Sequence, residues 1–178
     1  MRVRDATPAD LPAMTEIYGH HVLHSTGTFE ETPPDAAEMA ARIARVQDAG
    51  YPWLVAEDED GAVLGFGYCA PFRPRAAYRH TAEDSVYVRD DIRGQGVGKA
   101  LVAEVLARAE AMGIRQMVAV IGDAENVGSI GLHISLGFRQ VGVLKAVGMK
   151  FGRWVDVVQM QRALGEGDKT LPGQAESL

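Results

Sequence analysis

The sequence predicts one α/β domain, in which about four helices flank a mixed, mostly antiparallel sheet of about seven strands. A length of 178 residues and a hydrophobic content of 47% are sufficient for a single globular domain with a core. The spacing of apolar residues between Val3 and Arg162 predicts strands and helices in the order β-α-α-β-β-β-α-β-α-β-β. A hairpin precedes a β-α-β crossover, which indicates helices on both faces of a mixed sheet and not a doubly wound one. We therefore assign residues 1–164 to this domain.

Composition limits the possible partners and the compartment. The net charge of -6 disfavours nucleic acid as a partner, because general nucleic-acid binders are usually basic. Cys69 is the single cysteine, so we expect a buried thiol, no internal disulfide and a reducing, cytoplasmic location. The first residues lack an apolar run and no segment is long enough to cross a bilayer, so we expect no membrane partner.

The N-terminal elements follow from a short strand and a helix-start signal. Val3–Ala6 reads as a strand, and Thr7–Asp10 places a capping threonine, a proline and an acid where a helix begins. Apolar residues recur at helical spacing from Leu11 to Val22. His20 and His24 share one face of this helix, but no further His or Cys cluster stands nearby. We expect no metal site.

A second helix and a hairpin come next. The helix is predicted from Asp35 to about Asp48, and the strands Trp53–Glu57 and Ala62–Ala70 flank a strong turn. Gly65 and Gly67 lie inside the second of these strands and indicate a bulge or a close approach of another chain segment.

The second half of the chain supplies the crossover and a final hairpin. Its strands and helices are predicted at Thr81–Val88, Val97–Met112, Gln116–Ile121, Asn126–Leu136, Phe138–Val147 and Trp154–Arg162. Residues 165–178 are polar, rich in glycine and without a period, so we expect a disordered tail.

The glycine-rich stretch Arg93–Lys99 predicts a site for a phosphate-bearing ligand. It joins a strand to a helix N-terminus, where backbone N–H groups and the helix dipole favour an anion. A Walker A loop is excluded, because position 93 is Arg and position 100 is Ala. A dinucleotide-binding fingerprint that starts at Gly94 is a poor fit, because Lys99 stands where Gly or Ala is needed.

A third pattern fits this stretch and carries a family resemblance. Arg93-Gly94-Gln95-Gly96-Val97-Gly98 matches [Gln/Arg]-x-x-Gly-x-[Gly/Ala] and resembles the pyrophosphate-binding loop of the GNAT family of acyl-CoA-dependent N-acetyltransferases. The run from Asn126 through Ser129, Leu132 and His133 to Leu136-Gly137-Phe138 resembles a later motif of that family, and the element order also matches.

Within the family, the chain is similar to the branch that acetylates phosphinothricin and methionine sulfoximine. The residues that carry this likeness are Phe29–Pro33, Arg73–Tyr78, Thr81–Glu83 before Ser85–Val88, and Lys150–Trp154 with Asp156. The resemblance implies a GNAT-like fold and acetyl-CoA as the cofactor. It implies that the cofactor is held by Val86, Tyr87, Val88, Arg93, Gly94, Gln95, Gly96, Val97, Gly98, Lys99, Asn126 and Ser129.

The resemblance also implies three catalytic groups. Glu83 would take the proton of the amine, directly or through a water, because an ammonium is not a nucleophile. The backbone N–H of Val88 would donate to the developing oxyanion. His133 would donate a proton to the departing thiolate or relay the substrate proton. The alternatives are a strand-surface glutamate and a core histidine.

The substrate would be a small amino acid analogue bound by two loops. Arg73 and Arg75 lie in a basic loop that is either solvated or a clamp for a carboxylate or phosphoryl group. Glu31 would lie near the ammonium, from the same or a neighbouring subunit, because this branch is usually dimeric, and Lys150 is a weaker candidate. The full substrate set is Phe29, Glu31, Arg73, Pro74, Arg75, Tyr78, Glu83, Asp84 and Ser85. Acetylation of another amine and a non-catalytic acyl-CoA sensor remain alternatives.

Overall fold

One seven-stranded sheet forms the centre of the computed structural model, which describes residues 1–173. Its strands are β1 (Arg2–Asp5), β2 (Trp53–Glu57), β3 (Val63–Pro71), β4 (Thr81–Val88), β5 (Gln116–Gly122), β6 (Arg139–Lys150) and β7 (Arg153–Ala163). They lie in the order β1-β2-β3-β4-β5-β7-β6, and every neighbouring pair is antiparallel except β4–β5. The predicted mixed, mostly antiparallel sheet is confirmed.

Helices cover both faces of this sheet, as predicted. They are α1 (Leu11–His24), α2 (Ala36–Asp48), α3 (Val97–Ala111) and α4 (Val127–Ser135). On one face α1 and α2 pack on the sheet through a cluster that includes Met14, Met39 and Phe66. On the other face α3 and α4 pack through a second cluster, which includes Leu101 and Leu132. Each cluster removes apolar surface from water, which is the main stabilising contribution to such a fold.

Local signals set the helix starts, with one departure from the prediction. Asp35 caps α2, because its Oδ1 accepts a hydrogen bond from the Glu38 N–H at 2.8 Å. The predicted start at Thr7 is present, but the first turn, Pro8–Asp10, is a 3-10 turn and the α-helix begins at Leu11. The reason is Pro12, which has no N–H to bond the carbonyl four residues earlier.

The close approach predicted in β3 is confirmed at Gly65. A Cβ at this position would lie 2.7 Å from the Tyr87 carbonyl oxygen of β4, so the two strands can pair at this distance only without a side chain. The thiol of Cys69 is buried in the same strand, and burial raises its pKa to about 12, as expected for an unreactive structural cysteine.

The last hairpin is longer than predicted. The sequence placed a loop at Gly148–Arg153, but β6 continues to residue 150 and β7 begins at residue 153. A register shift between Leu144 and Gly148, with a positive φ of 52° at Ala146, takes up extra residues so that pairing resumes afterwards. The two-residue turn 151–152 then closes the hairpin with φ values of 51° and 71°.

The described chain ends in a series of turns. Residues 165–173 follow β7, and the Gly167 N–H donates to the Leu164 carbonyl at 2.9 Å. Residues 174–178, where the predicted tail ends, lie outside the described residues, so the domain limits and the disorder of the tail stay predictions. Within residues 1–173, each helix is too short or too polar to cross a membrane.

Candidate active site

The sheet opens between β4 and β5, and a cleft lies at this opening. The two strands pair from Thr81↔Gln116 to Asp84↔Ala119, and beyond that point β4 continues against β3 alone and β5 against β7 alone. A cleft of about 510 Å³ lies at the opening. Its size and its position between diverging parallel strands suit a cofactor or substrate.

Backbone groups of β4 face this cleft. In an antiparallel ladder, alternate residues bond their partner strand and the residues between them point away from it. The Arg89 N–H donates to the Leu64 carbonyl of the β3 side at 3.0 Å, whereas the Val88 carbonyl accepts from His21 Nε2 at 2.9 Å. Val88 therefore turns its polar groups away from β3, and Val86 shares this orientation through the two-residue period. Strand β4 thus offers a row of donors and acceptors.

The glycine loop shapes one end of the cleft. Gly94 and Gly96 have φ values of 81° and 84°, in the left-handed region that glycine adopts without strain, and Gly96 immediately precedes α3. A Cβ on Gly98 would lie 2.8 Å from Leu132 Cδ1, so α3 and α4 approach closely here. Because the first residues of α3 line the cleft, the free N–H groups and the positive end of the helix dipole face it.

Most of the predicted cofactor residues meet at this cleft. Among them, Asn126 begins α4: its Oδ1 accepts from the Ser129 N–H at 3.2 Å and its Nδ2 donates to the Gly122 carbonyl at 3.4 Å. Its amide therefore serves first as a helix cap. Gln95 does not line the cleft; the predicted cofactor residues that do are Val86, Tyr87, Val88, Arg93, Gly94, Gly96, Val97, Gly98, Lys99, Asn126 and Ser129.

Glu83 lies at the last paired stretch of β4, on the face opposite to the Asp84 side chain. Successive residues of a strand alternate between faces, so Glu83 is on the side of α1 and α2. Burial raises the pKa of its carboxyl, the Arg73 guanidinium lowers it and the Asp84 charge raises it again, for a net upward shift. A carboxylate with a raised pKa accepts a proton more readily than an ordinary surface glutamate.

The basic loop after β3 brings one arginine to Glu83. Arg73 Nη1 lies 3.9 Å from Glu83 Oε2, and its guanidinium stacks over the Phe72 ring at 4.3 Å. Tyr78 packs edge-on against the same ring, with centroids 5.7 Å apart. Pro74 and Arg75 are exposed in this loop.

The loop between α1 and α2 folds over the far end of the sheet. Phe29 packs where two glycines leave room: a Cβ on Gly148 would lie 2.2 Å from its ring, and one on Gly122 would lie 2.9 Å from it. Lys150, an expected substrate candidate, is instead buried, and its Nζ donates to the Ser25 and Thr28 carbonyls at 2.8 and 2.7 Å. Glu31 is exposed in this loop.

The buried pair of His133 and Asp84 forms part of the cleft wall. Asp84, expected at the substrate, faces α4, and its Oδ2 lies 3.0 Å from His133 Nε2. Ser129, one turn earlier on α4, accepts from His133 Nδ1 through its carbonyl at 2.7 Å. Both side chains of the pair are almost fully buried. Ser85, the next residue of β4, also lines the cleft.

His21 is a cleft residue that the sequence prediction did not select. It lies near the end of α1 and its ring is buried against Val88. Burial lowers the pKa of His21 and the nearby Arg93 charge lowers it further, whereas the hydrogen bond that His21 donates to the Val88 carbonyl raises it, for a net downward shift. The sequence did contain an indication of this position. His21 falls on the apolar stripe of α1, and a polar side chain that is buried there needs a hydrogen-bond partner.

Comparisons with known proteins agree with this geometry. A family model described as the acetyltransferase (GNAT) family matches residues 15–138. A phosphinothricin N-acetyltransferase from Alcaligenes faecalis is 56% identical over 170 residues, which cover 96% of this chain and 86% of that protein. An L-methionine sulfoximine/L-methionine sulfone acetyltransferase from Pseudomonas aeruginosa is 46% identical over 159 residues, 89% of this chain and 92% of that protein. The crystal structure of a phosphinothricin acetyltransferase from Sinorhizobium meliloti in complex with AcCoA has a TM-score of 0.95 and 51% identity, and covers 98% of this chain and 94% of that one.

Proposed function

The chain belongs to the GNAT acetyltransferase family, whose cofactor is acetyl-CoA, and we propose that it acetylates the α-amino group of a small amino acid analogue. Phosphinothricin and methionine sulfoximine or sulfone are the proposed class, since the relatives named for them match nearly the whole chain. The observation that carries the proposal is the parting of β4 from β5. It opens a cleft that is lined by the edge of β4, the glycine loop and Asp84, and Glu83 precedes Asp84 on the opposite face of the strand.

The cleft would hold acetyl-CoA along β4. The N–H groups around Gly94 and Gly96, at the start of α3, would bind the pyrophosphate, with Lys99 beside them. The backbone groups of Val86–Val88 other than the Val88 N–H would bond the pantetheine amides in the way that an added strand bonds a sheet edge. This direction points the thioester towards the place where β4 and β5 separate.

The reaction would be a direct attack of the amine on the thioester carbonyl. As the C–N bond forms and the C–S bond breaks, the nitrogen loses a proton and the sulfur gains one. Glu83 is the proposed base, directly or through a water, because its raised pKa and its place beside the opening suit this task. The Val88 N–H is the proposed donor to the oxyanion, because the ladder turns the polar groups of Val88 away from β3 and Val88 lines the cleft.

Arg73 is the proposed anchor for the acidic group of the substrate. Its guanidinium is near Glu83, so an amino acid analogue could place its acid on Arg73 and its amine towards the base. Phe29, Glu31, Pro74, Arg75, Tyr78 and Ser85 complete the proposed substrate set, with Glu31 from either subunit. A polyamine fits less well, because two loop arginines would repel it.

Thiol release from acetyl-CoA tests the proposal. The panel contains phosphinothricin, methionine sulfoximine, methionine sulfone, a polyamine and a peptide with a free N-terminus. We expect turnover with the first three and little with the others. Turnover confined to the peptide or polyamine would assign a different amine, and binding of acetyl-CoA without turnover on any amine would favour a sensor.

We also propose that the chain forms a homodimer through the β6–β7 edge. Strand β6 is the last in the sheet order, so one of its edges has no neighbouring strand among the described residues. Large apolar side chains are exposed around it, with Trp154 at 67% and Met149 at 63%. Light scattering should give a molar mass of twice that of one chain, and the Trp154→Glu variant should have the mass of a single chain. A wild-type monomer at micromolar concentration would contradict this.

A further inference from the structure

Both nitrogens of the His133 ring are occupied by the protein. The Ser129 carbonyl can only accept, so Nδ1 carries a hydrogen and donates it at 2.7 Å. Nε2 faces Asp84 Oδ2 at 3.0 Å, with both side chains nearly fully buried. A second hydrogen therefore lies between Nε2 and the carboxylate, because two facing lone pairs would repel. The only hydrogen that the ring can pass to the sulfur is therefore the one that it shares with Asp84.

Glu83 is the nearest acidic neighbour of the pair on β4, and burial together with the Asp84 charge raises the pKa of Glu83. Burial alone lowers the pKa of His133, but the hydrogen bond and charge of Asp84, with the Ser129 carbonyl, outweigh it and raise that pKa. Cys69 faces Asp84 from β3 and is a neutral thiol, since its pKa is about 12. On β7, Arg162 donates to the Leu136 carbonyl at the end of α4.

We propose that Asp84 is a positioning residue that acts through His133 and holds a proton in the wall of the cleft for the departing thiolate. This rests on the acetyl transfer proposed above. As the C–S electrons move to sulfur, sulfur takes the proton shared by Nε2 and Oδ2, and His133 remains as a neutral ring with its Nδ1 hydrogen. The proton that the base took from the amine, or one from solvent, then restores the pair.

The charge of His133 can be measured without any reaction. In wild-type protein labelled with 15N-histidine, His133 should keep the nitrogen shifts of an imidazolium well above the ordinary histidine pKa of about 6.5. In Asp84→Asn, the amide can donate to Nε2, so His133 should be neutral at pH ~7 with the fold intact. His133→Gln assigns the signals.

Kinetics test the use of that proton. Asp84→Asn should lower kcat by about tenfold to a hundredfold at neutral pH, the usual range for loss of an acid–base group, with little change in KM for acetyl-CoA. Asp10→Asn is the matched control. Asp10 is also a buried carboxylate, but it lies just before the start of α1 and accepts from Arg4 instead of lining the cleft. That variant should lose stability and keep the wild-type pH profile of kcat.

The possible outcomes separate the two proposals. An ordinary titration of His133 in the wild type, or an imidazolium retained in Asp84→Asn, would overturn the positioning role. A neutral His133 in Asp84→Asn with an unchanged kcat would overturn the use of its proton. Absence of acetyl transfer in the wild type would instead refute the proposed function, whatever the spectra show.

Discussion

Lys150→Met should release the loop between α1 and α2 from the sheet. Lys150 is 3% exposed, and its ammonium donates to two carbonyls of that loop, those of Ser25 and Thr28. Methionine keeps most of the volume and removes both donors, so two carbonyls lose a charged partner. The same loop carries Phe29 and Glu31, which we propose to contact the substrate.

The size of the effect follows from these two bonds. A hydrogen bond from a charged donor contributes about 1.5–3 kcal/mol net, so the pair contributes about 3–6 kcal/mol. Burial of the ammonium offsets part of this, as the lowered pKa of Lys150 indicates, which leaves about 2–4 kcal/mol. A chain of 178 residues loses about 2–4 °C in Tm per kcal/mol, so we expect a drop of about 4–16 °C.

Thermal unfolding at neutral pH measures this, with Lys145→Met as the control. Lys145 lies on the same strand and donates to Asp156 at 2.7 Å, but its side chain is 76% exposed. Such a surface pair contributes about 0–1 kcal/mol, so the control should melt within ~4 °C of the wild type. Lys150→Met should also raise KM for the amine. Equal melting temperatures for the two variants would refute the clamping role of Lys150.

Three further variants test the site. Glu83→Gln should lower kcat at least about tenfold near neutral pH and leave KM for acetyl-CoA alone; an unchanged rate would remove Glu83 as the base. Lys99→Glu should raise KM for acetyl-CoA by about tenfold or more, because it replaces attraction to the pyrophosphate with repulsion, and an unchanged KM would separate Lys99 from the cofactor. Burial lowers the pKa of His21, so its contribution to stability is present above pH ~6.5 and is lost as the pH falls through the folded-state pKa. His21→Gln should therefore be less stable than the wild type at pH ~7.5, and the gap should narrow on acidification; a gap in Tm that is constant with pH would contradict this.

The features predicted well from sequence are those with local causes. Gly94 and Gly96 adopt positive φ values that their residue type permits, and Asp35 and Asn126 cap helices through neighbours three residues away. The element order also follows from local periods. These local signals explain why the sequence alone predicts the loop, its helix and the fold class.

The features that sequence reasoning missed depend on long-range pairing. His21 meets Val88 across 67 residues, and Lys150 meets Ser25 across 125. The insertion of β7 between β5 and β6, and the point where β4 leaves β5, also depend on register. Nothing within a short window specifies these partners, because several strands have similar apolar patterns.

Register also explains how two neighbouring acids can take different tasks. Glu83 and Asp84 are adjacent, so they lie on opposite faces of β4, one towards the proposed amine and one towards His133 and the cleft. A slip of one residue would exchange them and bring the wrong carboxylate to each side. Gly65 opposes such a slip, because only a residue without Cβ fits against the Tyr87 carbonyl. The chemistry assigned to Glu83 therefore depends on the pairing of β3 with β4 as much as on the carboxylate itself.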